Sequence, residues 1–216
     1  MSLVTFVAVI GAAILHAAWN TLLKSGHDKL LSMAGIVVGH IPLGLMALFF
    51  VPFPSIYSLP YLGASVVLHA GYQFFLLKSY QIDDLTQVYP LARGSAPILV
   101  TAFSVVVLGV NLDSFQLLAV LLIATGIISL ALVRRDDGHL NLKATKFALI
   151  TGLFIASYSV VDGLGARVSE NSWGFYSCLT ICNGIVAICY LIIIKPTILT
   201  DLAFEGRKVF VIGGGT

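Results

Sequence analysis

Leu30 to Leu77 reads LLSMAGIVVGHIPLGLMALFFVPFPSIYSLPYLGASVVLHAGYQFFLL, 48 residues without one Lys, Arg, Asp or Glu. A soluble domain carries about a quarter of its residues as charged side chains. This chain of 216 residues is 10% charged and 58% hydrophobic, with a mean hydropathy of +0.99. Its 12 Lys and Arg and 10 Asp and Glu are clumped, and cannot cover a water-facing surface of that size. A soluble enzyme, a secreted disulfide domain and a disordered tail are excluded on that ground. The fold class expected is an all-α polytopic membrane protein, because lipid offers backbone groups no hydrogen-bond partner and only helices close that account within one segment.

A helix needs about 20 apolar residues to cross the hydrocarbon. Outward from the charge-free stretch, seven complete spans can be drawn: Leu3 to Leu23, Leu31 to Val51, Pro60 to Leu77, Val88 to Val110, Phe115 to Val133, Ala144 to Leu164, and Trp173 to Ile194. A partial eighth opens at Val209 and stops at Thr216, which predicts either a folded-back tail or a natural chain that continues. The first Lys is Lys24, after the first apolar run, so the N-terminus does not read as a cleavable signal. Ten Lys and Arg fall near the odd-numbered loops and only Arg167 near an even one. That bias puts the odd loops in the cytoplasm and the N-terminus outside. A net charge of +2 gives no argument for nucleic acid as a partner. Cys178, Cys182 and Cys189 are odd in number and lie in one apolar run, so they read as packing residues.

Polar groups inside hydrocarbon are costly and therefore functional suspects. His16, Trp19 and Asn20 share one face of span one, and His69, Tyr72 and Gln73 share one face of span three. Span four carries Tyr89 and Arg93, four apart, and span six carries Tyr158 and Asp162, four apart. Arg93 lies five residues into its span, roughly 7–8 Å deep at about 1.5 Å per residue. Trp19, Asn20 and Gln73 fall at a similar depth from the same side. If these faces converge, they line an aromatic-walled polar cavity with one positive charge, suited to a carboxylate or phosphate held by the guanidinium. Arg93 could instead snorkel to the interface. Asp162 sits toward the opposite end of its span, which argues against an Arg93–Asp162 pair; it is the candidate for proton coupling, or a solvated residue at a helix end. Pro90 and Pro97, with Gly94 between, are expected to bend span four and act as a hinge. Gly35 and Gly39 form a GxxxG suited to close helix packing. There is no GxxxxGK[ST], HExxH or GxSxG, so no ATP site, zinc protease or serine hydrolase, and no enzymatic activity or cofactor is expected.

A shift of 139 residues lays His16-Ala17-Ala18-Trp19-Asn20 on Ile155-Ala156-Ser157-Tyr158-Ser159, small residues plus one aromatic in both. A repeat of five helices has an odd number of crossings, so its second copy inserts inverted, as in many secondary transporters. The pieces His16–Asn20 and Asp83–Pro97 (DDLTQVYPLARGSAP), with the Leu- and Ile-rich run Gln116 to Leu130 around Gly126, resemble EamA-type transporters of the drug/metabolite transporter superfamily. The resemblance covers residues 1 to about 194. It implies inverted five-helix repeats: residues 1–134 as the first, 135–143 as a charged connecting loop and 144–216 as an incomplete second. It further implies a multi-pass carrier of the bacterial inner membrane, exporting metabolites or toxic solutes from a central cavity, and a cytoplasmic N-terminus, opposite to the charge count.

The functional expectation is a secondary, ATP-independent transporter of a small polar or amphipathic metabolite or drug, working by alternating access. Its partners would be that small molecule and the lipid bilayer, with a homodimer open. Two other readings stand beside it. One is an intramembrane metal or haem protein using His16, His40 and His69, against which the lack of supporting carboxylates counts. The other is a truncated remnant or assembly partner that inserts without transporting.

Overall fold

The computed structural model describes residues 29–82, 85–131 and 142–204, together with positions 3, 6, 7, 10, 11 and 14 of the first expected span. Among the described residues every regular element is helical. The helices are α1 (Lys29–Leu48), α2 (Leu59–Ile82), α3 (Leu85–Val106), α4 (Ser114–Ala131), α5 (Leu142–Val168), α6 (Ser172–Ile194) and the short α7 (Ile198–Phe204), with a 3₁₀ turn at Ile56–Ser58 before α2. The stretches expected as spans two to seven fall on α1 to α6 in order. The expected eighth span and the charged run 134–139 lie outside the described residues.

Helix ends follow local chemistry. α3 stops at Val106, short of the expected Val110, because Gly109 adopts a left-handed φ of 67° and the Val110 amide turns back to the Ser104 carbonyl at 3.0 Å. α4 opens on a capping box: Asp113 Oδ1 accepts from the Gln116 amide at 2.8 Å, and Gln116 Oε1 accepts from the Asp113 amide at 3.0 Å. α6 opens on Asn171, whose side chain accepts from the Trp173 and Gly174 amides at 3.0 and 3.3 Å. Hydroxyls inside the helices bond back to their own turns. Thr151 donates to Phe147 at 2.8 Å, Ser159 to Ile155 at 2.7 Å and Ser79 to Phe75 at 2.8 Å, so they burden an apolar surface little.

α5 and α6 are long and apolar enough to cross a membrane, and shorter apolar helical stretches run over Ala34–Leu48, Pro90–Val106 and Ser114–Ile127. Only 33% and 28% of the most apolar windows of α5 and α6 are buried. Phe49, Phe115 and Ile193 are 80% or more exposed. An apolar exterior of this extent is the kind of surface that meets lipid or another apolar partner.

The chain divides into two compact units, Met1–Leu62 with Ala166–Thr216, and Gly63–Gly165. In the first, α1 and α6 pack antiparallel: Gly44 lies on Ser177 and Ile181, while Gly184 lies on Ile41 and Val37. At Gly184 an added Cβ would collide with the Ile41 side chain, so the missing side chain sets how closely the axes approach. Gly35 and Gly39 of the GxxxG are buried on α1. Leu31 and Ala34 form a core with Leu191 and with Ile198 and Leu202 of α7, a helix lying where only a loop was expected. A Lys195–Asp201 ion pair at 2.8 Å and a Thr197 hydroxyl donating to Asp201 at 3.2 Å fix its first turn.

In the second unit, α5 touches both α2 and α3. Phe154 stacks on Phe75 at 5.3 Å and covers Gly71, where a side chain would collide with its ring. Gly152 lies against Ser95 and the Ala92 carbonyl, again with no room for a Cβ. Ala96, Ile155 and Ala156 continue that seam as a buried cluster. Residue order along these contacts makes α2 antiparallel and α3 parallel to α5.

Candidate functional site

The polar residues of the second unit meet around Asp162. It lies about six residues from the C-terminal end of α5, roughly 9 Å along the axis. The side chain is buried, and Ser65 of α2 donates its hydroxyl to Oδ1. His69, one turn further along α2, brings Nε2 to 3.9 Å from Oδ2 of the same carboxylate. Its Nδ1 lies 3.0 Å from the Ser65 carbonyl and 3.2 Å from the Ser65 hydroxyl. A hydrogen bond from Nδ1 to that carbonyl would leave Nε2 facing the carboxylate, an arrangement able to hold or pass a proton.

The next layer is aromatic. Tyr158, one turn before Asp162 on α5, stacks on the His69 ring with centroids 3.9 Å apart and planes 26° apart. Tyr72 meets Tyr158 edge-on at 5.7 Å. The Arg93 guanidinium of α3 lies over the Tyr72 ring at 5.9 Å from its centroid, within cation–π range. A continuous path of contacts therefore runs Ser65, Asp162, His69, Tyr158, Tyr72, Arg93, with acid at one end and cation at the other. Ser65 and Tyr72 are seven residues apart on α2, about 10 Å along the axis, so the path crosses the middle of that helix rather than lying in one layer.

The structure thus brings together four of the residues expected in one cavity, His69, Tyr72, Arg93 and Tyr158, and adds Asp162 directly to them. Gln73 is half-buried on α2 and makes no hydrogen bond among the described residues. His16, Trp19 and Asn20 lie outside the described residues, as does the side chain of Tyr89. Pro90, Gly94 and Pro97 sit within one continuous helix, so no break interrupts α3. Gly94 serves a packing role, since a Cβ there would meet Ile127 of α4 at 3.0 Å.

Ser65 was missed by sequence reasoning. A buried serine is unremarkable alone, yet it lies four residues before His69 on the same helical face, and that spacing was its available signal. The Asp162–His69 approach had no such signal, because depth along separate helices does not say which faces meet.

Of the histidines invoked for a metal or haem site, His16 lies outside the described residues, and among the described residues no three His, Cys, Asp or Glu side chains gather closely enough to hold a metal ion. Compared with protein-family models, curated proteins and solved structures, the chain finds no match.

Proposed function

We propose that this chain is a polytopic membrane protein and a secondary transporter that moves a small anionic or zwitterionic solute, with Asp162 and His69 as the proton-coupling pair. The observation that carries the reading is the path from Asp162 through His69, Tyr158 and Tyr72 to Arg93 on helices whose outer faces are apolar. Ionisable groups within apolar helices that face one another, not lipid, are characteristic of ion and substrate pathways.

The helix directions support a multi-pass arrangement. If α1 to α6 are successive crossings, α1 must oppose α6, α2 must oppose α5 and α3 must follow α5. The packing within each unit has these senses. The resemblance of the Asp83–Pro97 stretch to EamA-type carriers supports the same reading from the sequence, including inverted repeats and an exporter of the bacterial inner membrane.

In this mechanism Arg93 holds the anionic group of the solute and Tyr72 forms one wall of the site. Tyr158 covers His69. Swinging it away opens the route between Arg93 and the acidic end. Uptake of a proton by the His69–Asp162 pair from one side of the membrane, and its release to the other, changes the net charge at that end and so couples the two halves of the cycle. Pro90 and Pro97 remove two donors from the backbone ladder of α3, which makes that helix the element that bends.

The test uses the full chain in proteoliposomes with an imposed proton gradient, screened with amino acids, nucleosides and sugar phosphates as separate probes. Uptake of at least one class, driven by the gradient, is expected. Asp162→Asn should abolish gradient-driven accumulation while leaving solute exchange, and Arg93→Ala should reduce apparent affinity more than tenfold. Unchanged gradient-driven flux in both variants would sink the assignment of this path.

A further inference from the structure

Away from that site, the second unit carries a furrow on its apolar face. A cavity of about 750 Å³ lies among α3, α4 and α5, lined by Leu99, Ile127, Ile150 and Leu153, with Thr145 and Lys146 among its residues. A second of about 370 Å³ shares Leu99 and Leu153 with it and continues between α3 and α5 past Phe103 to Val160 and Val161. From Lys146 to Val161 the two extend along α5 for 15 residues, roughly 22 Å. That exceeds one leaflet of hydrocarbon, about half of the ~30 Å core.

Polarity along the furrow is one-sided. Ser95 and Ser157 also line it, but their hydroxyls donate to Ala92 and Leu153 of their own helices. Lys146 is the one charged residue in the lining, and it makes no ion pair among the described residues. It lies four residues from the start of α5, about 6 Å along the axis, with exposed Lys143 one turn before it. The positive end of the helix dipole adds to the same field. A long apolar trough with positive charge at one end only complements an anionic headgroup carrying a hydrocarbon chain.

We infer that this furrow seats an anionic phospholipid of the surrounding bilayer, its phosphate against Lys146 and Thr145 and one acyl chain along Leu153 toward Val161. The inference rests on the membrane reading of the chain but not on the transport path, which uses other side chains. Bound there, the lipid would brace α3 against α5, the two helices that also carry Arg93 and Asp162.

The test takes the full chain into nanodiscs of equal phosphatidylglycerol and phosphatidylcholine and counts lipids retained by intact-protein mass spectrometry. The wild type should retain phosphatidylglycerol over phosphatidylcholine at least fivefold, and Lys146→Gln should bring that ratio near one. Leu153→Trp, which fills the trough where the cavities join, should lower retention of both lipids while circular dichroism stays helical. A ratio that is the same in the wild type and Lys146→Gln would overturn the inference, as would retained phosphatidylglycerol unaffected by Leu153→Trp. Dimer-bound or solute-bound masses in place of lipid would overturn it in favour of those occupants. Recovery of the chain from the soluble fraction would instead refute the membrane reading itself.

Discussion

Tyr158 is the side chain on which the site turns. It stacks on His69 at 3.9 Å and meets Tyr72 at 5.7 Å, so it joins the acidic end of the path to the cationic end. Its ring rather than its hydroxyl makes both contacts. Under the transport reading, Tyr158→Phe keeps both ring contacts, each aromatic pair contributing about 0.5–1.5 kcal/mol, and should lose less than Tyr158→Ala. Tyr158→Ala should remove the cover from His69 and lower coupled flux more than tenfold, read in the same proteoliposome assay. Equal loss in both variants would mean that the hydroxyl, not the stack, does the work. Ser65 is the complementary case: its hydroxyl donates to the Asp162 carboxylate, and Ser65→Ala should destabilise the protein by about 0.6–2 kcal/mol, as for polar contacts between apolar helices. Thermal unfolding in detergent measures it.

Among the elements, two helix pairs meet where a glycine leaves no room for a Cβ. α1 and α6 meet at Gly184 against Ile41, and α3 and α5 meet at Gly152 against Ser95. The two contacts differ in kind. At Gly184 the obstructing atoms are Ile41 Cγ1 and Cδ1, part of a side chain that can be trimmed. Gly184→Ala should cost about 1–3 kcal/mol as an overpacked contact, and adding Ile41→Ala should recover part of it. At Gly152 the Ala92 carbonyl stands 2.8 Å from the added Cβ, so backbone must move and trimming Ser95 should rescue little. A double-mutant comparison of unfolding temperatures at the two sites checks that contrast. If Ile41→Ala rescues nothing, the α1–α6 seam is not set by this contact.

At the scale of the whole molecule, the clumped charges predict an orientation for helices that cross a membrane as proposed. Lys and Arg near the odd-numbered loops predict that those loops face the cytoplasm. Reporter fusions in cells check this directly. A fluorescent-protein fusion after Gly138 should fluoresce, and an alkaline-phosphatase fusion after Glu170 should be active. The reverse pattern would favour the cytoplasmic N-terminus implied by the family resemblance. Retention of the chain in alkali-washed membranes would extend what the apolar exteriors of α5 and α6 suggest to the whole set of helices.

The sequence by itself indicated an all-helical chain and the positions of its helices. Long apolar runs with few charges read as helices, and α1 to α6 fall on the stretches drawn from the sequence. It also marked most of the site, because a polar side chain in an apolar helix stands out without any partner being known. Tertiary structure alone decided which faces meet. Helical periodicity placed Tyr158 with Asp162, and His69 with Tyr72, on single faces, but rotation of one helix about its axis against another depends on packing. Here glycines set that packing: Gly71 admits Phe154 and Gly152 admits Ser95, and those two contacts turn α5 so that Asp162 reaches Ser65 and His69. The order of residues names the groups in each helix; only the fit of one helix surface into another makes an acid, an imidazole and a guanidinium into a single path.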